Sequence, residues 1–125
     1  MLECAVVFPV VFTLLIGMMV GALGVFRYDE VALLAREGAR YASVHGTQYA
    51  KVTGKTAATA ADVYNNAILP KTVGLDTTQL TYSVTWSPNN QPGGAVTVTV
   101  KYNWVPEWFW SSMSFTSTSV MTVSY

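Results

Sequence analysis

Residues 4–26 read CAVVFPVVFTLLIGMMVGALGVF, an apolar run without a charged side chain. As a helix at about 1.5 Å per residue the run spans roughly 35 Å, against about 30 Å of hydrocarbon in a bilayer. Its mildly polar member is Thr13, whose hydroxyl can return to a helix carbonyl. A buried core helix is the competing reading, but the remaining residues are too few to surround so long an apolar cylinder. A cleavable secretory signal fits poorly too: the run is long, Met1-Leu2-Glu3 brings no base, and no clean small-x-small site comes after it. A lipidation box would place its apolar stretch before the cysteine, whereas here it comes after Cys4. Residues 1–26 are therefore expected to be a membrane-spanning stem.

Composition agrees with a chain partly out of water. It is 51% hydrophobic and only 11% charged, against about a quarter charged in ordinary soluble domains. Seven Lys/Arg balance seven Asp/Glu, so neither a basic nucleic-acid binder nor an acidic tail is expected. One Cys and one His supply no internal disulfide framework and too few ligands for a Cys/His metal site. There is no glycine-rich phosphate loop, no G-x-S-x-G and no H-E-x-x-H. No catalytic residue, cofactor or metal is expected, and the chain is not read as an enzyme.

The flanks of the stem are unusual. Glu3 stands at the edge of the apolar run, and the nearest base is Arg27 on the far side. Taken alone, that polarity would place the N-terminus outside; a basic leader upstream of Met1 would reverse it.

Beyond Phe26 the helix is expected to continue, as RYDEVALLAREGARYASV. Val31, Leu34, Ala35, Gly38, Tyr41 and Ala42 recur at helical spacing, with Arg36, Glu37 and Arg40 at other angles. Gly38 on the apolar face costs about 1 kcal/mol relative to Ala and suggests a close neighbour. Gly46 is the expected C-cap. A polar connection, Gln48 to Lys55, leads to a second helix at 57–69, capped by Thr56 and ended by Pro70. The period then changes to two. Leu80, Tyr82, Val84 and Trp86 alternate with Thr and Ser; Val96, Val98, Val100, Tyr102 and Trp104 alternate with Thr, Lys and Asn. Strands are expected at 79–87, 95–104 and 116–125, the first two joined by the turn-rich SPNNQPGGA. The expected fold is α+β: a long N-terminal helix packed with a second helix and a small antiparallel sheet of about three strands. Residues 27–125 are expected to form an extracytoplasmic head on the stem, giving a lollipop outline.

Two blocks carry a family resemblance. Leu2-Glu3-Cys4-Ala5-Val6-Val7-Phe8-Pro9 resembles the start of TadE-type pseudopilins, of the tight-adherence (Tad/Flp) branch of type IV pili, with Glu3 and Pro9 at the family spacing. Ala35-Arg36-Glu37-Gly38-Ala39-Arg40-Tyr41-Ala42 is similar to the block that closes the family's long helix. The resemblance covers the first 45 or so residues, with a looser similarity in the STSVMTVS ending. It implies a pilin-like lollipop and a structural job. A basic leader ending in glycine is cut by a prepilin peptidase, and an assembly platform in the inner membrane draws the subunit into a filament at the cell surface. Fewer residues precede Glu3 than the family commonly has after the cut, which leaves the processing position open. The implied partners are copies of the same chain or other pilin subunits, with the membrane as host before assembly. The size favours a minor pseudopilin over the major pilin. The alternative is a stand-alone bitopic membrane protein with a binding or sensing head.

Glu3 is the assembly candidate, because a carboxylate at the edge of a helix bundle is costly unless paired; the α-amino group of an adjacent subunit would set register. As a plain helix-start acid it would instead rest at the headgroups. Gly17 and Gly21 form G-x-x-x-G and Gly24 lies nearby, a face that permits close helix approach but also matches ordinary glycine use in membrane helices. Pro9 is expected to bend the helix slightly near its start. Trp104, Trp108, Phe109 and Trp110 cluster as a lid on the sheet, a subunit contact or a ligand platform. His45 is read as a cap or surface residue.

Overall fold

A computed structural model describes residues 1–106 and 111–125. Helix α1 runs unbroken over Leu2–Val44, about 65 Å at 1.5 Å per residue. It passes through Pro9 without ending. The proline ring removes one backbone donor, and the Thr13 hydroxyl donates to the Pro9 carbonyl at 2.8 Å. The apolar window of α1 is wholly uncovered. The second half is the reverse: Val31, Leu34, Ala35, Ala39 and Ala42 are buried, on the helical spacing read from the sequence.

The head is built against that second half. Three antiparallel strands, β1 (Leu80–Ser87), β2 (Ala95–Trp104) and β3 (Met113–Thr122), lie in the order β1-β2-β3. Val96, Val98, Val100 and Tyr102 of central β2 all point into the core, where burying each large apolar side chain contributes about 1.5–3 kcal/mol. Helix α1 lies across β2 and β3, while the second helical segment covers β1. On β3 the inward positions opposite Val98 and Val100 are Ser119 and Ser117, small enough to admit the helix backbone. The outer face is rich in Thr, including Thr97, Thr99, Thr116 and Thr118, with the Thr99 and Thr118 hydroxyls 3.1 Å apart.

Several expected boundaries move, each for a local reason. The connection 48–55 contains a short helix α2, Thr47–Thr53, pinned by Thr47 N–H to the Asn90 carbonyl at 2.9 Å and Tyr49 N–H to the Tyr125 carbonyl at 3.3 Å. Gly46 is not a left-handed cap: α1 ends with His45, and Gly46 has φ −80 at the start of α2. Its lack of a side chain serves packing, because a Cβ there would lie 2.8 Å from the Tyr125 carbonyl oxygen and 2.9 Å from Val123. The second helix starts at Thr59, not Thr56. Asp62 stands three residues after Thr59, so the two form a reciprocal capping box (Thr59 N–H to Asp62 Oδ2 at 2.9 Å, Asp62 N–H to Thr59 Oγ1 at 3.3 Å). The segment then runs through one α turn, α3 (Ala60–Val63), a π turn (Tyr64–Ile68) and a 3-10 turn (Leu69–Lys71) that includes Pro70. Strand β3 begins three residues earlier than 116, placing Phe115 opposite Tyr102 and Met113 opposite Trp104. Residues 123–125 leave the sheet. The Val123 N–H binds the Gly94 carbonyl at 2.7 Å, and the Ser124 N–H binds the Ser43 carbonyl at 2.9 Å.

Candidate assembly surface

The stem presents its sequence to the surroundings almost unmodified. Glu3 is exposed in the first turn of α1, with no side-chain cap bond at Met1. Val6, Val7, Phe8, Val10, Phe12, Leu14 and Leu15 are all exposed. The Phe8 and Phe12 rings, one helical turn apart, lie 5.5 Å centre to centre. Such a surface cannot face water at reasonable cost, since each large apolar side chain left uncovered forgoes about 1.5–3 kcal/mol.

The four glycines singled out from the sequence divide into two kinds. Gly17 and Gly21 have nothing among the described residues within 4 Å of where a Cβ would stand. Gly24 and Gly38 are occupied from within the same subunit. A Cβ at Gly24 would be 3.3 Å from the Trp104 ring; one at Gly38 would be 3.0 Å from Val98 and 3.3 Å from Ile68. Gly38 thus lets α1 settle onto β2 and the π turn. Among the described residues nothing in the subunit fills the space at Gly17 and Gly21.

The motif block splits by angle in the same way. Ala35, Gly38, Ala39 and Ala42 are buried, while Arg36 and Arg40 are exposed and Glu37 is half-buried. Glu37 and Arg40 border a shallow hollow with Tyr41, Asn66 and Lys71. The small residues serve the head's own core, and the charges point away from it.

Trp104 is half-buried at the foot of the sheet. It stacks on Phe115 at 6.0 Å, and Phe115 meets the edge of Tyr28 at 6.2 Å. These rings, with Val20, Gly21, Gly24, Val25 and Met113, line an apolar groove of about 380 Å³ at the junction of stem and head. Trp108, Phe109 and Trp110 lie outside the described residues.

A second aromatic group is hidden from a local reading of the sequence. His45 stacks on Tyr41 at 3.9 Å and meets Tyr49 edge-on at 4.6 Å, and its Nδ1 lies 2.8 Å from the Tyr41 carbonyl. Its signal is the spacing Tyr-x3-His-x3-Tyr, which spans the break between α1 and α2. Burial pushes the Tyr41 hydroxyl above its ordinary value, helped by the Asp62 and Tyr49 charges and opposed by a hydrogen bond with Asn66. The Thr59 bonds hold Asp62 below the usual carboxylate range. These groups border a polar hollow with Lys55 and Thr56. Among the described residues no cluster of three His, Cys, Asp or Glu could hold a metal ion.

No curated protein and no solved structure matches the chain. One family model does: residues 1–40, which include Glu3, Pro9 and the motif charges Arg36, Glu37 and Arg40, match the family described as TadE-like protein, so the stem and the start of the motif block are similar to that family.

Proposed function

We propose that this chain is a structural, pilin-like subunit of a Tad-type pilus or its assembly machine, a minor pseudopilin rather than the major pilin. It waits in the inner membrane on its stem and is then drawn into a surface filament by stem packing. The observation that carries this reading is the division of α1. One rigid helix has an uncovered apolar half and a half that forms the core of a folded head. A stem that is greasy on every side fits lipid before assembly and other stems after it.

Glu3 is the register element. Exposed at the start of the stem, it is free to meet a positive partner, and in a bundle of stems an unpaired carboxylate is strongly disfavoured. Pairing with the α-amino group of an adjacent subunit satisfies both charges at one axial offset. The peptidase and platform partners come from the same family reading. The chain should be expressed in its native host, with membranes and sheared surface material assayed separately. Glu3→Ala is expected in the membrane fraction at parental level and absent from the sheared fraction. Parental incorporation of Glu3→Ala would remove the pairing role. If the chain were instead a stand-alone anchored protein with a binding head, neither parent nor variant would leave the membrane.

A further inference from the structure

We propose that Trp104, with Tyr28, Met113 and Phe115, seats the head in the outer-leaflet interface of a phospholipid bilayer; this rests on the membrane-anchored reading of the stem. The depth argument comes first. The charge-free run of residues 4–26 spans roughly 35 Å as a helix, slightly more than the hydrocarbon layer. With Glu3 at one headgroup layer and Arg27 at the other, the boundary of the second leaflet falls near Gly24. Trp104 lies over that same residue, 3.3 Å from where its Cβ would be. The foot of the sheet therefore reaches below Arg27, to the level where lipid begins.

Polarity switches across the Trp104 ring. On one side is the apolar groove of about 380 Å³, lined by Val20, Gly21, Gly24 and Val25 of the stem. On the other is a hollow of about 330 Å³ bordered by Arg27, Asp76, Gln79 and Asn103. Indole, with an apolar body and one N–H donor, prefers such a boundary, and Trp and Tyr concentrate at membrane interfaces for that reason. The Arg27 side chain donates to the Gly74 carbonyl, which holds the guanidinium on the polar side. The exposed apolar residues that line the groove, Tyr28 and Met113, contrast with the threonine-rich outer face of the sheet. They share one groove with Val20 and Val25 of the stem's apolar surface, and for that reason lipid is the occupant inferred for the groove.

The test uses the full chain in vesicles of phosphatidylcholine and phosphatidylglycerol. Trp86, Trp108 and Trp110 are changed to Phe, leaving Trp104 as the sole indole. The vesicles carry phospholipid brominated either near the top or at the middle of the acyl chains. Retention through alkaline carbonate reports the anchor. Trp104 emission is expected to be quenched at least two-fold more by the shallow bromines than by the deep ones, with little quenching by aqueous iodide. Should the triple variant unfold, the parent and Trp104→Phe are compared; loss of the shallow-quenched component in Trp104→Phe supports the proposal, and identical quenching overturns it. Strong iodide quenching of an anchored chain overturns the interface seat and spares the stem reading. Protection from bromine and iodide alike, with subunits cross-linking through the groove, assigns the groove to a neighbouring copy and also overturns it. Release by carbonate overturns both readings.

Discussion

The two halves of α1 share one backbone ladder and opposite surroundings. Leu23 in the lower half is 49% exposed, whereas Leu34, three turns up, is 1% exposed. The same residue type in the same helix has been given two solvents. In the upper half, small residues alternate with charges so that one face can meet a sheet. Over residues 4–26 charge is missing from every face, so no face is reserved for the head. A helix can thus serve as core and as anchor without a break, provided that its side chains change pattern where its surroundings change.

Substitutions at matched positions test that division. The largest effect is expected at Leu34→Ala, which should cost about 2–5 kcal/mol of head stability through a core cavity. Leu23→Ala should leave the head's unfolding curve unchanged; denaturant titration in mild detergent, followed by circular dichroism, compares the two. Next comes Gly38→Val. With Val98 and Ile68 already at the limit of contact, overpacking should cost about 1–3 kcal/mol. Gly17→Val, with nothing among the described residues within 4 Å, should not move the same curve, and any effect should appear only as reduced filament incorporation. The smallest effect belongs to the α3 cap. Asp62 is held below the usual carboxylate range by Thr59, so its contribution is present above that range and lost as pH falls through the lowered folded value. Thr59→Ala should therefore lower stability at neutral pH and flatten its acid dependence. A parental pH profile in Thr59→Ala would show that the capping box is not the source.

Much of this was legible in the sequence because period survives folding. The stem announced itself by missing charge, α1 by its spacing, and β1 and β2 by strict alternation. The irregular pieces were less legible, since each depends on contacts remote in sequence. Gly46 looked like a cap, yet its absent side chain answers to Tyr125 and Val123. Helix α2 owes its place to Asn90 and Tyr125, which no local pattern around residue 50 encodes. The start of β3 depends on the pairing of Phe115 with Tyr102, a partner on another strand. At the candidate surface, Glu3 and the open pair Gly17 and Gly21 were visible as residue types. That Gly24 is filled by Trp104 needed the fold, because the two are far apart in the chain.

The corner where residues 123–125 meet the end of α1 has a consequence for timing. The Ser43 carbonyl receives the Ser124 N–H, and β3 is one of the two strands that α1 covers. Until the last strand is in place, the apolar face of α1 lacks the cover that β3 gives it. Closing that gap joins residues from opposite ends of the head, a non-local step of the kind that slows folding. A head lacking residues 123–125 would thus leave the end of α1 unfastened from the sheet.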